Sequence, residues 1–235
     1  MKFDSYTTYA RILPALISAA PLFVLWFFLL RDPDWKDLLN FLISLKFIGS
    51  LSLAVAFLYF YAQFNRITSK CFQHRYFNAH RGLPTTYFML YEDPTYSVDY
   101  KDKFRERVRN RLNLHPLDAV AEGLDPYEAR KRLNESFDQI RLLVGKGKLV
   151  FNHNIWYGFA RNLIGGCLYA VLFCILNILL GWRIFHAPAL TIASCCLLVV
   201  YLAILTFHKQ ILIQNAEAYA RQIIAEFMSA HISRD

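Results

Sequence analysis

Apolar residues along the 235-residue chain fall in blocks. Four blocks approach or exceed the ~18 residues that cross ~30 Å of hydrocarbon: Leu13–Leu30, Phe47–Phe64, Leu163–Trp182 and Ala187–Phe207. None carries an ionised residue in its interior. Lys46 stands at the edge of the second, where its stem can snorkel toward the headgroups. The pattern therefore predicts four transmembrane helices in two hairpins. The first block does not read as a cleaved leader: it holds Pro14 and Pro21, and Arg31-Asp32-Pro33 follows in place of a small-residue cleavage site.

The predicted layout is a first hairpin over 1–64, a basic cytosolic domain over 65–162, a second hairpin over 163–207 and a cytosolic helical tail over 208–235. Within the insert, "TTYFMLY" (85–91) is β-branched and aromatic and reads as a strand, as does "KLVFN" (148–152) at the other end. Between them, Tyr100, Phe104, Val108 and Leu112 stand four apart behind Ser97, a candidate N-cap. A second helix opens with Asp125, Pro126 and Glu128, a capping-box start, and runs with Leu133, Phe137, Ile140 and Val144 on one face. The expected fold class is thus an all-α membrane protein whose small cytosolic insert is α+β, in the order β-α-α-β. After the fourth block, Ile213, Ala216, Ala220, Ile223, Ile224 and Phe227 recur at helical spacing in the tail.

Composition agrees with the membrane reading: 56% of residues are hydrophobic and the mean hydropathy is +0.26. Charge supplies the orientation. Of 26 Lys+Arg, 17 lie between Asn65 and Asn162, against 11 Asp+Glu. Lys2 and Arg11 precede the first block, and Arg66 and Lys70 follow the second. Basic residues stay on the cytosolic side, so the central segment and both termini are expected there, in a bacterial inner membrane. The five cysteines and seven histidines show neither a disulfide framework nor metal-type spacing. No metal and no cofactor is expected.

One segment stands out chemically. "NHNIWYGFARNLIGG" (152–166) places polar and aromatic residues directly before an apolar block. Helical geometry sets Asn154, Gly158 and Arg161 on one face, with Tyr157 and Asn162 beside it. Arg is a planar donor suited to phosphate or carboxylate, and Asn offers both a donor and an acceptor. Asn154, Tyr157, Arg161 and Asn162 are accordingly the candidate ligand- or partner-binding residues. The competing reading is an aromatic interfacial anchor with Arg161 on lipid phosphate or a backbone carbonyl. No catalytic residue is assigned, because no nucleophile with a base, no Ser elbow and no matched carboxylate pair is legible. "GKGK" (145–148) lacks the Ser/Thr and the element order of a phosphate loop and reads as a helix end. The basic helix 101–111 has nothing that reads bases, so nucleic acid is not an expected partner; a solvated or lipid-facing surface is. Asp99, Asp102 and Glu106 read as solvated ion pairs on it.

Three stretches carry a resemblance: "LPTT" (83–86), "DPYEA" (125–129) and "NIWYGFARNLIG" (154–165). The chain resembles an uncharacterised family of bacterial inner-membrane proteins with LPTT, DPxxA and NIxYGFxRNxxG segments, mainly over residues 82–166. The resemblance implies location and architecture and supplies no mechanism.

Taken together, these readings point to a non-enzymatic membrane protein that couples cytosolic recognition of a ligand or partner to a membrane event. A pore-forming or anchoring effector of a bacterial anti-phage system has that architecture, which is an analogy of layout. The expected partners are the lipid bilayer, further copies of the chain through its small-residue faces, and a cytosolic protein encoded nearby. The rival readings are an interfacial enzyme acting on a lipid head group or nucleotide, and a scaffold subunit of a membrane complex.

Overall fold

The computed structural model describes residues 4–31, 47–79 and 82–229. In chain order the helices are α1 (Ser5–Ser18), α2 (Ala20–Arg31), α3 (Phe47–Ala79), α4 (Pro84–Tyr87), α5 (Val98–Leu112), α6 (Ala119–Leu124), α7 (Pro126–Val144), α8 (Lys148–Arg183), α9 (Pro188–Thr206) and α10 (His208–Ser229). They belong to two compact units. The first lies within Met1–Gln73 and Gly158–Leu212, the second within His74–Tyr157 and Ile213–Asp235.

Two parts of the expected layout are corrected. The first is the four-span arrangement. Among the described residues, α8 and α9 are long and apolar enough to cross a membrane. A third crossing is reached only by joining α1 to α2 across a 47° bend. Pro14 and Pro21 punctuate that apolar run, and each removes an N–H from the helix ladder. The expected second span falls in α3, which continues as helix past Phe64 through Asn65, Arg66, Thr68, Ser69 and Lys70. The side chains of 47–54, and all of 32–46, lie outside the described residues.

The second correction is the α+β insert, because the described residues contain no strand. Residues 85–87 complete α4, and 88–91 follow as turns. Pro84 sits in the first turn of α4 behind an extended Leu83, where a missing N–H costs no hydrogen bond. Phe88, Met89 and Leu90 are buried by packing in the core of the second unit, with no ladder involved. Residues 148–152 open α8, whose first turn includes a bond from Phe151 N–H to the Gly147 carbonyl. The fold is all-α, with two helices that mark the chain as a membrane protein.

In the first unit, side-chain contacts give the helix directions. Gln73 meets Arg161, Ser69 meets Asn162, and Thr68 meets Tyr169. Descending numbers on α3 thus face ascending numbers on α8, an antiparallel pair. Asn162 reaches the Ala10 carbonyl and Asn177 reaches that of Pro21, so α1–α2 runs parallel to α8. Glycines set how closely these helices approach. A Cβ built on Gly165 would lie inside contact distance of the Asn65 carbonyl and 2.8 Å from the Ser69 backbone nitrogen. On Gly166 it would lie 2.5 Å from Ser18 Oγ and 2.6 Å from Asn65 Nδ2. The small residues of α8 are therefore used within one chain.

The second unit has its own core. Phe104 and Val108 of α5, with Ala129, Leu133, Phe137, Ile140 and Val144 of α7, pack on Ala220, Ile223, Ile224 and Phe227 of α10. The caps read from the sequence are in place. Ser97 accepts from Tyr100 N–H at 3.3 Å, and Asp125 accepts from Glu128 N–H at 3.0 Å with Pro126 next. A helix absent from the sequence reading, α6, has Asp118 as its cap, accepting from Ala121 N–H at 2.9 Å.

Candidate functional site

The segment 152–166 forms part of α8 without a break. Tyr157, which belongs to the second unit, is buried and stacks on Tyr219 with ring centroids 6.1 Å apart and planes 7° from parallel. Asn154 is half-buried, and Trp156 is 61% exposed. In the first unit, Arg161 Nη1 donates to Gln73 Oε1 at 2.9 Å. Asn162 is buried: its Nδ2 donates to the Ala10 carbonyl at 2.6 Å and its Oδ1 accepts from Ser69 Oγ at 3.1 Å. Tyr157, Arg161 and Asn162 thus reach Tyr219, Gln73, Ala10 and Ser69.

The role of Asn162 follows from the backbone of α1. Residues Thr8–Ile12 form a π-helical stretch, and Pro14 has no N–H to return to the carbonyl four residues earlier, that of Ala10. Asn162 supplies that donor. The same logic holds seven residues on, where Pro21 cannot serve the Ile17 carbonyl and Tyr201 Oη donates to it at 2.7 Å. At the bend, Leu22 N–H bonds the Ala19 carbonyl. The Ser18 carbonyl accepts instead from Tyr61 Oη at 3.1 Å. Asn177, read from the sequence as an interhelical hydrogen bond, donates to the Pro21 carbonyl at 2.8 Å. A broken helix is tolerated at membrane depth only where protein groups re-satisfy its backbone. Here α3, α8 and α9 each contribute such groups.

The sequence reading missed a second constellation, in the second unit. Arg105 is 2% exposed, and its Nη2 lies 2.7 Å from Glu122 Oε2. Its Nε donates to the Leu117 carbonyl at 2.8 Å, and its guanidinium carbon lies 4.0 Å from the Tyr91 ring centroid. Glu122 Oε1 also accepts from Tyr91 N–H at 2.5 Å. Lys101, one turn earlier and equally buried, donates to the Asp93 carbonyl, and Tyr91 Oη donates to Asp102. Burial pulls Lys101 below the usual lysine value and Arg105 below the usual arginine value. Burial, aided by the bond to Asp102, pushes the Tyr91 phenol up to about 12. The legible signal was position: Lys101 and Arg105 share the helix face that carries Phe104 and Val108. The cluster ties α5, α6 and the 91–97 loop together.

On the outer face of α5, an open depression of about 590 Å³ is lined by Asp99, Asp102, Lys103, Glu106, Arg109 and Asn110. Its charges are of mixed sign, three acidic and two basic residues, so it offers no convergent site for one ligand class. Among the described residues, no group of three or more His, Cys, Asp or Glu is placed to hold a metal ion. No family model, curated protein or solved structure matches the chain.

Proposed function

We propose that this chain is a multi-pass protein of the bacterial inner membrane that acts without catalysis, coupling recognition in a cytosolic second unit to a membrane event. The observation that carries this is α8. The helix Lys148–Arg183 contributes Val150 to the core of the second unit and carries a membrane-length apolar stretch among its later residues. The membrane event is pore opening by assembled copies or the anchoring of a partner, the layout of an effector in anti-phage defence. The concentration of basic residues in 65–162 supports a cytosolic position for that segment and for both termini.

Orientation is checked by fusions of alkaline phosphatase. A fusion at Ala187, in the turn between α8 and α9, is expected to be active, and one after Asp235 silent. The reverse pattern would invert the topology.

The function is tested on the full chain reconstituted in dye-loaded liposomes of bacterial lipids. Release of dye without release of phosphate is the expected result, and steady phosphate release from intact liposomes would replace this reading with an interfacial enzyme. Arg161 tests the juxtamembrane segment in the same assay. Hydrogen bonds from a charged donor contribute about 1.5–3 kcal/mol, and a lysine keeps the charge while losing the planar fork. Arg161→Ala and Arg161→Lys are therefore both expected to cut dye release at least tenfold. Full activity of both would leave the segment an interfacial anchor.

A further inference from the structure

Helix α6 is amphipathic in reverse. Its charged residue, Glu122, points into the second unit, 6% exposed and paired with buried Arg105. Its large apolar residues point out: Val120 is 75% exposed and Leu124 83%. Tyr127, in the first turn of α7, is 79% exposed, and a Cβ added at Gly123 would meet nothing within 4 Å. A helix on a folded surface normally shows water the opposite face. A local rule broken while the element is held firmly from beneath marks a functional surface. Three large apolar side chains within eight residues, each at least three-quarters exposed, are a surface of the kind that contacts a partner.

The rim of the patch says what covers it. Asp118 and Asp125 are exposed on either side and no Lys or Arg occurs from Asp118 to Tyr127, while on the far side of Tyr127 Arg130 is paired with Glu92 and Lys131 is exposed one turn along α7. Anionic lipid would meet like charge there, and a second copy of the same patch would set these aspartates against their own kind. We infer that α6 and the start of α7 dock a protein segment of complementary chemistry: an amphipathic helix with an apolar face flanked by Lys and Arg. This inference rests on the proposed function and gives its cytosolic recognition step a surface.

The test uses the full chain in phosphatidylcholine nanodiscs, which carry no net charge. The probes are two fluorescent 18-residue amphipathic peptides with the same leucine face, one flanked by lysines and the other by glutamates, read by anisotropy. The lysine peptide is expected to bind at least tenfold tighter than the glutamate peptide. Leu124→Ser is expected to weaken it at least tenfold. Asp118→Asn with Asp125→Asn, which keeps both helix caps, is expected to weaken it threefold or more at low salt. All substituted positions are exposed, so unchanged thermal unfolding is expected alongside. Equal binding of the two peptides, indifference to Leu124→Ser, or equal binding to empty nanodiscs would each overturn the inference. So would a dimer that Leu124→Ser converts to monomer, since the occupant would then be a second copy. Dye release measured on the same variants reads the membrane event separately, so either reading can fail without the other.

Discussion

Glu122→Ala is expected to destabilise the second unit by about 3–5 kcal/mol, the cost of stranding one member of a buried ion pair. Arg105 is the reason. Its guanidinium sits 2% exposed with Glu122 as its carboxylate partner at 2.7 Å, and an arginine cannot escape by releasing its proton. The same substitution removes the acceptor of Tyr91 N–H, so the 91–97 loop loses its tie to α6. Hydrogen exchange across residues 98–144 in increasing urea would report the loss as earlier opening of α5 and α7. The double variant Arg105→Met with Glu122→Leu is expected to recover most of the stability, because a buried pair exchanged for apolar side chains of similar volume is near neutral. A loss below about 1 kcal/mol for Glu122→Ala would mean that water reaches the pair.

Gly165→Ala is expected to cost the first unit about 3 kcal/mol, at the upper end for overpacking, despite adding a single methyl group. That methyl meets backbone: the Asn65 carbonyl, and the Ser69 nitrogen at 2.8 Å. Both lie inside α3, where a shift must move the whole helix. Separation of α3 from α8 would also break the Ser69–Asn162 bond and loosen the donor that caps Ala10. Gly181→Ala is the matched control, because its nearest contact, at 2.7 Å, is the hydroxyl of Thr191, a group that can rotate away. Thermal unfolding in mild detergent should separate the two substitutions by more than 5 °C. Equal melting of both variants would show that α3 yields.

What could be read from the sequence was set by local chemistry. Ser97, Asp125 and Pro126 announce helix starts because capping needs only neighbours, and all three act as read. The apolar spacings of α5, α7 and α10 likewise name the core of the second unit. The strands failed because segments of five to seven residues are too short to show a period of their own. Residues 85–91 are buried by α7 and α10 from outside the segment, and 148–152 are the first turn of a helix that continues to Arg183. The span count failed in the first half of the chain: Pro14 and Pro21 break the first run, whose freed carbonyls are met by Asn162 and Tyr201 more than 140 residues away, and the second run lies partly outside the described residues. For the candidate site, the sequence placed Asn154, Tyr157, Arg161 and Asn162 correctly on one helix. It could not show that Asn162 serves a broken helix, or that Lys101 and Arg105 are buried, because both depend on what packs opposite.

Helix α8 has a mechanical consequence. Its 36 residues make a rod of about 54 Å, against ~30 Å of hydrocarbon. The apolar stretch from Leu163 to Trp182 accounts for roughly 30 Å of that length. A thinner membrane would steepen the tilt, since a long apolar rod answers mismatch by leaning. Membrane thickness is thereby one determinant of how this helix leans.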